Sequence, residues 1–231
     1  MSSVYFYEML TVHTLAHTDQ EHLNILLSSR ADTPDRTAYI LGTSSESPLP
    51  SMIAEAKKLE GAGAGLLAIS CNTAHCFYQG IQDSVSIPVL SIISVTAQFC
   101  RSLGIQRVGL LATEGTVASR AYFNALAELG IECITPSADE QATISKIIYE
   151  QIKRGEAPDT DAFSSVCGSL RKRGCERIIL GCTELSLLKK SQNLGSEFID
   201  SLEVLAISAI RSCRKEPTGF DAELAAFTAQ N

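Results

Sequence analysis

Apolar and polar positions along this chain fall into alternating helical and extended blocks. Residues 3–16 place aromatic and aliphatic side chains on one helical face, with Ser2 or Ser3 available as a cap. A short apolar run at 23–27 reads as a strand, followed by a loop to Asp35. Residues 51–59 are amphipathic helix and lead through Gly61 and Gly63 into the apolar run 65–69, predicted as a buried strand. Further strands are predicted at 85–93, 107–112, 131–134 and 177–180. Further helices are predicted at 96–103, around Tyr122, Phe123 and Leu126, and at 143–153, 161–173 and 202–210. Nearly unbroken apolar strands alternating with helices predict an α/β fold with mainly parallel sheets. The polar, alanine-rich stretch from Arg214 is expected to be peripheral.

The blocks repeat. Sliding the chain on itself by 111 residues lays Leu59 on Leu170, Gly63 on Gly174, Ile69 on Leu180 and Cys71 on Cys182. This predicts two pseudo-symmetric units, 1–92 and 93–212, with 213–231 as a tail; a C-terminal segment is expected to pack back on the first unit. Sites in open parallel sheets gather beyond the carboxyl ends of strands. Both cysteines fall there, in Ser70-Cys71-Asn72-Thr73-Ala74-His75 and Gly181-Cys182-Thr183-Glu184-Leu185. A thiol on each wall of a cleft suits removal of a proton from one face of a carbon and delivery of another to the opposite face. Alone, either cysteine reads equally well as a small buried apolar residue.

Composition narrows the possibilities. The 231 residues are 45% hydrophobic and carry a formal charge of -7, so the chain has a core but no basic footprint for nucleic acid or an acidic membrane. No run spans a membrane and no secretory leader is legible. The eight cysteines are scattered and read as free thiols of a cytoplasmic protein. His13, His17 and His22 lack the companions of a metal site and read as solvated or locally bonded. No Schiff-base lysine motif or glycine fingerprint points to a cofactor. Asn72 and Thr73, at a predicted helix start, offer backbone N–H groups to a carboxylate, and the same position favours a neighbouring thiolate at Cys71.

The CNTAH and GCTEL segments, with Pro34-Asp35-Arg36-Thr37 and Leu110-Leu111-Ala112-Thr113-Glu114-Gly115-Thr116, resemble the aspartate racemase branch of the aspartate/glutamate racemase superfamily. The resemblance implies a cofactor-independent racemase, a homodimer, with Cys71 and Cys182 as its acid/base pair and an amino acid, aspartate, as substrate. It assigns Arg36 to the side-chain carboxylate, although an arginine on a loop otherwise reads as a solvated residue. Thr113 and Thr116 are assigned to the substrate's carboxylate, while Lys146 is placed to approach an anionic ligand, as a lysine in that region does in relatives, and reads equally as a surface lysine. Thr183 is placed to bind a carboxylate, and Glu184 to accept the ammonium group or orient a neighbour. His75 reads as orienting a thiol or as a satisfied helix-start histidine. Glutamate or broad-specificity racemisation, a related decarboxylase or isomerase, and an inactive amino-acid-binding protein are the alternatives. The second unit opens on a strand and small-residue loop, whereas the first opens on a helix, where the family usually has a short apolar strand and glycine-rich loop. The 231-residue form is therefore expected to be less stable and less active than an extended one, unless another segment fills the gap.

Overall fold

The computed structural model describes residues 2–229. The chain runs α1 (Ser2–Val12), α2 (Arg36–Ile40), α3 (Leu49–Gly61), β1 (Leu67–Ala68), α4 (Tyr78–Gln82), β2 (Val89–Leu90) and α5 (Ile92–Ser102). It continues through β3 (Arg107–Ala112), α6 (Glu114–Ala118), α7 (Ala121–Glu128), β4 (Glu132–Ile134), α8 (Ala138–Lys146) and α9 (Thr160–Lys172). Last come β5 (Arg177–Gly181), α10 (Thr183–Gln192), β6 (Phe198–Asp200), α11 (Ser201–Ser212) and α12 (Ala222–Ala226). β1 and β2 pair in parallel, and the other four strands form a parallel sheet in the order β4-β3-β5-β6. Two α/β units with parallel sheets result, as the alternating blocks predict.

The second sheet is covered on both faces, which is why its strands read as continuous apolar runs. Leu110 and Ile179 point into the cluster that α5, α7 and α11 cover, while Leu111, Ile178 and Leu180 point into the one that α8 and α9 cover. The repeat is visible in the elements themselves. α3 and α9 are offset by 111 residues at both ends, and the glycines after them, Gly63 and Gly174, take left-handed φ values of +93° and +83°. At these positions an L side chain would strain the turn from helix to strand. α11 packs on both α1 and α5, so the last long helix of the second unit also closes the first.

Several expectations are corrected. Residues 23–27 pair with no strand among the described residues, and a strand exists only through its ladder. The strand expected at 85–93 is confined to Val89–Leu90, and β6 was not foreseen. Arg36 is not on a loop: Asp35 accepts the Ala38 N–H at 2.9 Å and starts the short helix α2. The helix expected at 143–153 starts earlier, at a capping box of Ser137 and Glu140, and then widens into a π turn at Ile147–Gln151. The C-terminal stretch is not peripheral throughout. Thr14 bridges Pro217, His13 stacks on Phe220 at 4.3 Å, and Leu224 and Phe227 are buried, Phe227 edge-on to Phe99. Phe220, Leu224 and Phe227 are spaced as one helical face, a pattern the surrounding alanines and polar residues mask.

Candidate active site in the cleft between the units

Strand ends position the two thiols. β5 ends at Gly181, where an added Cβ would lie 2.9 Å from Leu110 Cδ1, so β5 and β3 close tightly just before Cys182. Cys182 then leaves the sheet as the N-cap of α10. Cys71 leaves the end of β1 and precedes a 3-10 turn over Thr73–Phe77. Cys71, half-buried, and Cys182, buried, line one cavity of about 180 Å³. Arg36, Asn72, Thr73, Thr113, Thr183 and Glu184 line it as well.

Hydrogen bonds across the cleft lock the two units together. The Thr183 hydroxyl donates to Ser70 O at 2.7 Å. Three threonine hydroxyls form a cluster, Thr73 to Thr113 at 2.9 Å, Thr73 to Thr116 at 2.9 Å and Thr113 to Thr116 at 3.0 Å. Asn72 is held through its amide: its oxygen accepts from the Tyr122 hydroxyl at 2.6 Å, and its nitrogen donates to Ser201 Oγ at 3.1 Å. His75 bonds through Nδ1 to Cys71 O at 2.9 Å, and its Nε2 accepts the Ile92 N–H at 3.1 Å. An accepting Nε2 carries no proton, so Nδ1 donates and the ring is neutral. Burial, the main cause, also lowers its pKa.

Of the residues singled out in the sequence, Thr116 is buried behind the cavity and reaches it through Thr73 and Thr113. Lys146 stands exposed at the end of α8, away from the cavity lining. The lysine on the cavity wall is Lys153, beside Tyr149 from the π turn; its Nζ lies 4.2 Å from the Tyr149 ring centroid. Tyr149 in turn meets the Thr37 hydroxyl at 3.1 Å. These two residues were missed, and their one legible signal was an aromatic and a lysine at i, i+4 spacing. Ser3, Asp35 and Thr37 also border the cavity, the last two inside the motif that singled out Arg36.

Residues 1–209 match the model of the Asp/Glu/hydantoin racemase family. The chain belongs to that family. Picrophilus torridus aspartate racemase superposes with a TM-score of 0.81 at 29% identity, covering 94% of this chain and 91% of that one. A glutamate racemase of Geobacter metallireducens is 30% identical over 156 residues, 61% of this chain and 54% of its own length. The broad-specificity amino-acid racemase of Bacillus subtilis is 29% identical over 160 residues, 69% of this chain and 70% of its own. Membership carries the general activity, cofactor-independent racemisation of amino acids. The three relatives differ in substrate.

The two thiols that line the cleft differ in burial, and Cys182 has a carboxylate beside it. Cys182 Sγ donates to the Glu184 carboxylate at 2.9 Å. Burial first, then the Glu184 charge and this hydrogen bond, push the Cys182 thiol well above the usual cysteine range; the Glu184 backbone N–H and Lys153 act in the opposite sense. Cys100, Cys133 and Cys167, pushed to about 12 mainly by burial, belong to the core. Among the described residues no group of three or more His, Cys, Asp or Glu is placed to hold a metal ion.

Proposed function

We propose that the chain interconverts L- and D-aspartate by a two-base mechanism carried by Cys71 and Cys182. The observation behind this reading is a single small cavity lined by both thiols of the 111-residue repeat together with two cations, Arg36 and Lys153, and the carboxylate of Glu184. A dicarboxylic amino acid has two carboxylates for the cations and an ammonium for Glu184. Aspartate is favoured within this class by the motif around Arg36.

In the resting cleft Cys182 is the protonated partner, held as a thiol by Glu184. Cys71, as thiolate, takes the α-proton of one enantiomer, and the C–H electron pair stays on Cα, delocalised into the α-carboxylate. Cys182 delivers its proton to the opposite face, leaving Cys71 protonated and Cys182 ionised. The other enantiomer runs the same steps in reverse. Polar donors of the cleft, the threonine hydroxyls and the cations, offset the developing charge. Since Asn72 spends its amide on Tyr122 and Ser201, its side chain positions the loop that carries Cys71.

The test is α-hydrogen exchange in deuterated water, followed for each enantiomer separately. The reduced 231-residue protein is expected to racemise aspartate and to label the product enantiomer at Cα without added pyridoxal phosphate. Cys71→Ser and Cys182→Ser should each lose at least about 100-fold in racemisation, the scale of a lost acid or base, with unfolding little changed. Turnover near wild type in either folded variant would reject the two-thiol mechanism.

A further inference from the structure

The residue after each cleft cysteine reaches into the opposite unit. Offset by 111 residues, Asn72 corresponds to Thr183 and His75 to Ser186. His75 and Ser186 bond within their own units, each to the start of a helix. His75 Nε2 accepts the Ile92 N–H of α5, and Ser186 Oγ donates at 2.6 Å to Asp200, the N-cap of α11. Asn72 and Thr183 bond outward. The Thr183 hydroxyl donates directly to the carbonyl of Ser70, the residue before Cys71. Asn72 returns the contact only through an intermediary: its Nδ2 donates to Ser201 Oγ, which donates at 2.8 Å to Leu180 O, two residues before Cys182.

Sheet register puts Ser201 in this place. β6 pairs with β5 so that Asp200 lies opposite Leu180, and the first residue of α11 therefore emerges beside the strand end that carries Cys182. The direction of the hydrogen-bond chain is fixed as well. A serine hydroxyl has one proton; spent on Leu180 O, it leaves the Ser201 oxygen to accept from Asn72, whose amide oxygen accepts from the Tyr122 hydroxyl. Tyr122, Asn72 and Ser201 are all buried, so removing one member leaves its neighbours unpaired in the interior.

We infer that Ser201 is a positioning residue for the thiol pair. Together with Thr183 it clamps the Cys71 loop to the end of β5 on both sides of Cys71, at Ser70 and at Asn72, and so fixes how far apart the two thiols stand. Ser201 does not border the cleft and acts through Asn72. The inference rests on the two-thiol reading. Proton transfer on two faces of one carbon depends on closely held reacting atoms, so a loosened clamp costs turnover more than binding.

The test compares Ser201→Ala with Ser208→Ala. Ser208 is buried on the same helix, but its hydroxyl bonds within that helix, to Val204 O at 2.7 Å. Ser201→Ala is expected to lower kcat for aspartate at least about tenfold while KM changes less than about threefold. Ser201→Thr, which keeps the hydroxyl, should recover most of the loss, and Ser208→Ala should lose little. A second readout needs no turnover: alkylation by iodoacetamide, followed cysteine by cysteine with peptide mass spectrometry. In Ser201→Ala, Cys71 and Cys182 should react at least about fivefold faster, whereas Cys100 and Cys167, buried in the core, keep their wild-type rates. If Ser201→Ala does not fold, Ser201→Thr and Ser201→Val, alike in shape and different in the hydroxyl, carry the same comparison. Turnover close to wild type, unchanged alkylation of both cleft thiols, equal acceleration at Cys100 and Cys167, or equal losses in Ser208→Ala would each overturn the inference. A wild-type protein inactive on aspartate would instead reject the reading beneath it, and the alkylation pattern would then decide the clamp alone.

Discussion

Cys182 and Glu184 show how two residues of one helix turn set a protonation state. The carboxylate both accepts the thiol proton and repels the thiolate, so it favours the acid form twice over. Glu184→Gln removes the charge, and the Cys182 pKa is expected to fall. Alkylation of Cys182 followed against pH by peptide mass spectrometry should show its midpoint move to lower pH; an unmoved midpoint would leave burial as the whole cause. Arg36 belongs to the same scale. Its Nη1 donates to Thr33 O and Pro34 O, both at 3.3 Å, which ties the guanidinium to the loop that precedes α2. Under the aspartate reading, Arg36→Ala should raise KM for aspartate about tenfold more than for a neutral amino acid, the size of one charge-assisted bond. Arg36→Lys should restore it only in part, because the fork is lost. Equal losses for charged and neutral substrates would assign Arg36 to structural support.

At the scale of elements, the position of α2 depends on one glycine of α6. A Cβ on Gly115 would lie 2.8 Å from Thr37 Oγ1 and 2.9 Å from Thr37 Cα, and the backbone contact cannot be relieved by a rotamer change. Gly115→Ala should therefore push α2, with Arg36 and Thr37, away from the cleft. The expected result is a loss of about 1–3 kcal/mol of stability and a KM effect larger than the kcat effect. Urea unfolding and steady-state kinetics measure the two, and a variant with unchanged stability would show that α2 yields freely. The same contact explains part of what the sequence concealed. Asp35, Arg36 and Thr37 read as a loop after proline, and only the seat against α6 makes a five-residue helix worthwhile, since a helix so short has little stability of its own.

For the whole molecule, stability should carry the signature of one buried carboxyl. Asp200 caps α11 and accepts from Ser186 Oγ and the Leu202 N–H, while its second oxygen is buried without a partner among the described residues. Burial chiefly, then the charge of Glu203, raises its pKa from 3.8 to about 7, against the opposing pull of Lys189. A folded pKa above the unfolded one means that the native state holds this proton more tightly. Its contribution to stability is thus fully present below about pH 4 and lost as pH rises through about 7. Asp200→Asn keeps the accepting oxygen and removes the titration, so unfolding free energy should vary less between pH 5 and 8 than in wild type. An unaltered slope would assign that pH dependence to other groups.

What the sequence determined by itself was local or periodic. Apolar runs marked the strands of the second unit because those strands are buried on both faces, and the 111-residue offset marked both cysteines as following apolar runs. Tertiary structure decided what depends on neighbours. Residues 23–27 have the composition of a strand but join no ladder among the described residues, and the apolar run 65–69 pairs only over Leu67–Ala68, with β2. Lys153, beyond the π turn, borders the cleft, whereas Lys146, ahead of it, does not. Asn72 and Tyr122, 50 residues apart, meet only because the units close on each other. Side-chain period and residue type are written along the chain, whereas pairing, phase shifts and the proton on Cys182 arise from groups distant in sequence or from burial, which no local pattern records.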